Sequence, residues 1–187
     1  MRHAPTCATR AAAFPLDEPL DRRAIAQASG LASVVPSRAE TLSSPALRCM
    51  QTARAAGLDP RPEPELAECD FGSWAGRSLA EVHADDPEGA KAWMKDADAR
   101  PHDGESLTTF AARVARWLDA QARGDGWMLA ITHAGVVKAA LVHALGAPLD
   151  AFWRIDADPL SITELHAHDG RWTVSRVNTP LSDGAGR

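Results

Sequence analysis

The stretch Trp127-Met128-Leu129-Ala130-Ile131-Thr132-His133-Ala134-Gly135 decides the fold of this chain. Its apolar run has the length and continuity of a strand buried on both faces. It passes through a histidine into a helix carrying Val136, Val137, Ala140, Leu141 and Leu145, closed by Gly146 and Pro148. A buried strand feeding directly into a helix is the repeating unit of α/β proteins with a parallel sheet. Ligands in such sheets bind where strands end and helices begin, so His133 stands at a chemically privileged point.

Upstream, Ser106 opens a helix with Leu107, Phe110, Val114, Trp117 and Leu118 at the three-and-four spacing of a half-buried face. Residues 21–34 read as a further helix, with Ile25, Leu31 and Val34 on one side. Residues 40–44 read as a short strand. Pro45, suited to a first helical position, then opens a helix over about 45–57 with Leu47, Met50 and Ala53 on its apolar side. The first twenty residues read as loop, and Leu66-Ala67-Glu68 ends a short extended piece. Residues 78–100 form a weakly patterned helical insert broken at Asp86-Pro87. Downstream, 160–167 and 171–177 make a hairpin around His168-Asp169-Gly170. The expected fold is a three-layer α/β/α sandwich with a mostly parallel central sheet and a C-terminal hairpin, as one domain over 1–187.

Composition bounds the function. The 187 residues carry 20 Lys+Arg against 25 Asp+Glu, a net charge of −5, which disfavours nucleic acid or an acidic membrane as partner. No apolar run has the length of a membrane span, and no leader is expected at the start. Cys7, Cys49 and Cys69 form neither an even framework nor a metal-ligand spacing, which points to a reduced, cytoplasmic setting. A second strand-to-helix switch, Ser43-Ser44-Pro45-Ala46-Leu47-Arg48, places an arginine in a first helical turn, where its planar fork suits phosphate oxygens.

Arg2-His3-Ala4, Ser43 to Ala53, Leu66 to Gly76, and Thr132 to Gly135, in this order, resemble the histidine phosphatase (phosphoglycerate mutase-like) superfamily. Asp103-Gly104-Glu105-Ser106-Leu107 is similar to an element of its smaller branches, which include enzymes like α-ribazole phosphatase. The resemblance implies a phosphohistidine mechanism with His3 as nucleophile. It also implies that Arg2, Arg48 and His133 hold the phosphoryl oxygens and that Glu68 is the general acid. Glu105 competes for the acid's role, or contacts phosphate, or caps the helix at 106. Thr6 and Ser44 are candidates for further phosphate hydrogen bonds. His83, His102, His143, His166 and His168 read as ordinary surface or helix histidines, and Trp74 as a wedge beneath the glutamate loop.

The implied activity is an acid or neutral phosphomonoesterase acting on a small phosphorylated metabolite, with no metal and no cofactor. A phosphoryl-transferring mutase and a weakly active phosphate-binding module remain open beside it. The family carries a buried strand before its Arg-His pair, and here Met1 directly precedes Arg2. Either the start was assigned within a longer reading frame or the variant is short. On both accounts the position beside 127–132 is expected to be vacant or substituted, and His3 mobile. The substrate pocket is expected from loops 7–20 and 78–105.

Overall fold

The structure is a computed structural model that describes residues 1–33, 39–124 and 126–180. Three parallel strands make the central sheet: β1 (Glu40–Ser43), β2 (Arg61–Pro62) and β3 (Met128–Ile131), in the order β2-β1-β3. A separate antiparallel pair follows, β4 (Ser161–His168) with β5 (Arg171–Pro180). The helices are α1 (Cys7–Ala11), α2 (Arg22–Ser29), α3 (Leu47–Ala55), α4 (Leu79–Asp85), α5 (Pro87–Lys95), α6 (Leu107–Gln121) and α7 (Ala134–Ala144). Leu42 of β1 packs with Leu107, Phe110 and Val114 of α6 and Val136 of α7. Ile131 of β3 points the other way, against Leu31 and the α3 residues Cys49 and Ala53. Alternate residues of a short sheet thus bury two helical layers, the expected sandwich.

Among the described residues no strand pairs with Met128–Ile131 on the side away from β1, so β3 is an edge strand there, met only by the Met1 amino group, which donates to Ala130 O (2.8 Å). Met1 O accepts from Thr132 N (2.9 Å), and His3 N donates to Thr132 O (2.9 Å), a parallel pairing of residues 1–3 with Thr132, just after β3. On its other side Arg2 exchanges two backbone bonds of 3.2 Å with Leu160 and Ser161. His3 is 5% exposed and bonded through backbone and ring, so the expectation of a mobile His3 is corrected. Strand β3 itself is less enclosed than its apolar sequence implies: Trp127 is 58% exposed, and only Ile131 of β3 is fully buried.

Other departures have local causes. Residues 7–11 are helical, initiated by a capping box between Thr6 and Thr9 that an apolar-periodicity reading does not see. Helix α3 starts at Leu47 rather than Pro45, and its first free N–H is met by Asp17 Oδ1 at 2.8 Å. Its buried face is Arg48, Cys49, Thr52 and Ala53, while Leu47 is 44% exposed. The helix is rotated from its apolar stripe because Arg48 and Thr52 have partners inside. Thr52 Oγ1 donates to Arg48 O (2.7 Å) and accepts from Ala4 N (3.0 Å). Val34 lies outside the described residues.

The insert is a helical pair, α4 and α5, each capped by its own side chain: Ser78 with Glu81, and Asp86 ahead of Pro87. Its ends meet where residues 70–74 lie against 102–105. Ser73 N donates to His102 O (2.9 Å) and Glu105 N to Asp70 O (2.8 Å). The backbones approach so closely that a Cβ on Gly72 or Gly104 would overlap the carbonyl oxygens of His102 or Asp70. Gly104→Ala is therefore expected to destabilise the chain by about 1–3 kcal/mol, the usual cost of overpacking. Urea unfolding should show a lowered midpoint with an unchanged slope.

Candidate active site

Arg2, His3, Thr6, Arg48, Glu68 and His133 line one cavity of about 170 Å3. Each reaches it from the carboxyl end of the parallel sheet. Arg2 and His3 belong to the pairing with Thr132, Arg48 sits in the first turn of α3 after β1, and His133 caps α7 after β3. Glu68 lies just after the 3-10 turn Pro64–Leu66. The sequence-predicted residues therefore converge, with two exceptions. Ser44 lies behind the wall, and Glu105 is not among the lining residues.

His3 Nδ1 is 2.6 Å from Ala4 O and donates to it, which leaves the lone pair on Nε2. Burial, helped by the nearby positive Arg48 and Arg2, holds its pKa down at about 3 against the pull of that bond. The ring is therefore neutral across the physiological range. His133 lies edge-on to it, with ring centroids 5.2 Å apart. Arg48 Nη2 donates to His133 Nδ1 (3.1 Å), so the proton sits on Nε2, which donates to Ser44 Oγ (2.8 Å). Burial, then the Arg48 charge, pushes the His133 pKa well below its ordinary value. Both of its ring nitrogens have partners inside the protein.

The two arginines are held by neutral groups. Arg48 Nη1 donates to Leu16 O (3.0 Å), and Arg2 Nη1 to Ala157 O (2.6 Å). Both Nε atoms are buried without a protein partner. Among the described residues no carboxylate stands within ion-pair distance of either guanidinium. Two positive groups thus line the cavity without a paired carboxylate, and Glu68 is the acidic side chain that shares its lining with them. Thr6 lines it too, although its hydroxyl already accepts from Thr9 N (3.2 Å) as the cap of α1.

Glu68 shares the cavity with these cations. Its Oε1 accepts from Cys69 N (3.1 Å) and its Oε2 from Gly135 N (3.3 Å) in the first turn of α7. Those bonds and the arginines favour the carboxylate, yet burial outweighs them and raises the pKa above its ordinary value. Gly135 is required here because a Cβ at that position would run into Glu68 Oε1. The glycine of Thr-His-Ala-Gly is thus explained by the glutamate that the same resemblance singles out.

Glu105 neither caps α6, a task done by Ser106, nor reaches the cavity. It forms a two-pronged ion pair with Arg113, Nε–Oε1 2.9 Å and Nη2–Oε2 2.8 Å, and accepts from Asp70 N (3.1 Å). Arg113 then donates to the carbonyls of Glu65 (2.8 Å), Ala67 (3.1 Å) and Glu68 (3.3 Å). Sequence reasoning missed Arg113, whose only signal was its place one helical face from Glu105. His102 is also corrected: it is fully buried, its Nδ1 accepts from Gly104 N (3.0 Å), and its ring packs edge-on against Trp74 at 4.9 Å. Trp74 is buried under the 70–76 turn with Phe14 and Val82, as expected of a wedge.

The remaining groups are chemically quiet. Cys49 Sγ is 3.5 Å from His133 Nε2, but burial pushes its thiol up to about 12. Cys69 is raised as well, again mainly by burial, so neither offers a thiolate at neutral pH. No three His, Cys, Asp or Glu side chains converge as a ligand set among the described residues. No helix among them is long and apolar enough to cross a membrane.

Comparison with known proteins agrees with this geometry. A bifunctional protein of Mycobacterium tuberculosis is 35% identical over 162 residues, covering 82% of this chain and 42% of the relative. The chain thus spans less than half of that protein. Glucosyl-3-phosphoglycerate phosphatase of the same species is 31% identical over 150 residues, covering 72% of this chain and 67% of the relative. The crystal structure of the alpha-ribazole phosphatase from Shigella flexneri superposes with a TM-score of 0.83 at 26% identity, over 100% of this chain and 96% of that one. The sequence pattern of the histidine phosphatase superfamily (branch 1) matches residues 1–180, and to that family this chain belongs.

Proposed function

We propose that this chain hydrolyses the phosphate monoester of a small metabolite through a phosphohistidine on His3, without a metal ion. The observation that carries this reading is one cavity lined by two guanidiniums, the buried Arg48 and the half-buried Arg2, together with a neutral His3, with no carboxylate within ion-pair distance of either arginine among the described residues. Two fixed cations match a phosphoryl dianion and the charge on its equatorial oxygens during transfer. In the first step the His3 Nε2 lone pair attacks phosphorus and the bond to the ester oxygen breaks. Glu68, protonated, gives its proton to the departing alkoxide. In the second step the Glu68 carboxylate takes a proton from water as the hydroxide attacks phosphorus. The P–N bond breaks, its electron pair returns to Nε2, and phosphate leaves.

His133 contributes to holding the oxygens by aiming Arg48 and bracing it on Ser44, since its own nitrogens are occupied. Glu105 and Arg113 keep the Glu68 backbone in place. The free thiols of Cys7, Cys49 and Cys69 fit a reducing, cytoplasmic setting. The two phosphatases named above act on phosphorylated small molecules by their names, and this chain shares their fold and family.

Turnover of a generic aryl phosphate by the purified chain should survive a chelator and disappear in His3→Ala. Brief incubation with 32P-labelled substrate should leave an acid-labile phosphohistidine. Phosphate binding without turnover, or loss of activity on chelation, would overturn the reading.

The pH dependence follows from the two shifted groups. His3 must be neutral, so kcat/KM should fall only as pH drops toward about 3. Glu68 must carry its proton for the first step, and its raised pKa extends activity above the ordinary glutamate value of 4.5. The profile should be an acid-side plateau with a basic limb. Glu68→Gln should remove that limb and lower the rate by about 10²–10⁴-fold. Gly135→Ala should displace the carboxyl by about 1 Å and cost on the order of 10²-fold in kcat, with the thermal melt little changed.

A further inference from the structure

A second cavity, of about 160 Å3, shares Glu68 and Phe71 with the first and so begins where the leaving group must emerge. Its walls come from separate elements: Trp93 on α5 of the insert, and Phe152 and Trp153 from the 3-10 turn Leu149–Arg154. Trp93 and Trp153 meet edge to face at 4.7 Å, and Phe71 closes on Trp93 at 6.2 Å. A cavity of about 150 Å3 lined by apolar side chains admits one benzene. The space and the aromatic walls both suit a single planar ring.

One cation stands in this apolar wall. Lys138 Nζ lies over the Phe152 ring, 5.4 Å from its centroid, and no carboxylate among the described residues is within ion-pair distance of it. Lys138 follows Gly135 by one turn of α7, and Gly135 N contacts the Glu68 carboxyl. Glu68, Gly135 and Lys138 all line this second cavity, with Lys138 about 4.5 Å along the helix axis from Gly135. A ring leaving from Glu68 would carry a substituent on its far side toward the ammonium.

We infer that the alcohol part of the substrate is a planar ring bearing an anionic substituent, the ring held by Trp93, Trp153 and Phe71 and the anion by Lys138. This names the substrate class of the site proposed above and rests on that reading. Trp93 and Lys138 are specificity-determining rather than catalytic, because neither touches the reacting atoms.

The test measures binding and turnover separately. By calorimetry, 4-carboxybenzylphosphonate should bind about tenfold tighter than benzylphosphonate, and that in turn about tenfold tighter than ethylphosphonate. Lys138→Met should erase the first ratio and keep the second. Trp153→Ala should erase the second. Equal affinities for the three ligands, or a carboxylate preference that survives in Lys138→Met, would overturn the inference. Ethyl phosphate turnover, followed in parallel, reads the phosphatase function alone. Turnover with flat ligand ratios counts against the ring-and-anion pocket only, and intact ratios without turnover count against the phosphatase reading only.

Discussion

Two guanidinium groups at one cavity, Arg48 buried and Arg2 half-buried, neither with a carboxylate within ion-pair distance among the described residues, set the terms for everything around them. Arg48 is 4% exposed, and Arg2 has its Nε shut away from solvent. Each is tolerated because carbonyl oxygens and one imidazole satisfy part of its fork while the rest points inward. Partly satisfied charges of this kind are a source of the perturbed titration found at functional sites. Burial, aided by the same positive field, keeps His3 neutral. That field also helps to fix His133 in the tautomer that accepts from Arg48.

The loop that brings Glu68 to the cavity is governed by a different interaction, the paired fork of Arg113 and Glu105. Arg113 spends its remaining hydrogens on the carbonyls of residues 65, 67 and 68, so the loop bearing Glu68 is clamped by its backbone rather than by its side chain. The carboxyl is left to answer to its surroundings, and burial raises its pKa despite two arginines nearby. Cations and a reluctantly ionised acid thus share one cavity, and the proposed reaction rests on that juxtaposition.

Much of this was legible in the sequence because strand-to-helix switches are local signals. Ser44 to Arg48 and Thr132 to Gly135 announce themselves through an extended run, a turn and a helix start. The elements that stayed hidden depend on long-range partners. Arg113 and Glu105 acquire meaning only when residues 65–70 are brought beside α6. His102 looks like a surface residue until Gly104 and Trp74 enclose it. Helix α3 faces inward with Arg48 and Thr52 because of contacts to Ala4 and His133, which no periodicity within α3 encodes. The fixed position of His3 stayed hidden for a related reason, since residues 1–3 borrow their order from Thr132 and from Leu160 and Ser161.

The close backbone approach at Gly72 and Gly104 has a consequence for how this chain can diverge. Because the two ends of the 78–100 excursion are pinned together there, the segment between them is a closed loop hung on a fixed clasp. Changes of length or side chain within it can redraw the outer wall, Trp93 included, without the clasp transmitting them to Glu68. On the proposed reading, the chemistry and the choice of substrate are then separately heritable, and the reaction can be kept while its object is exchanged.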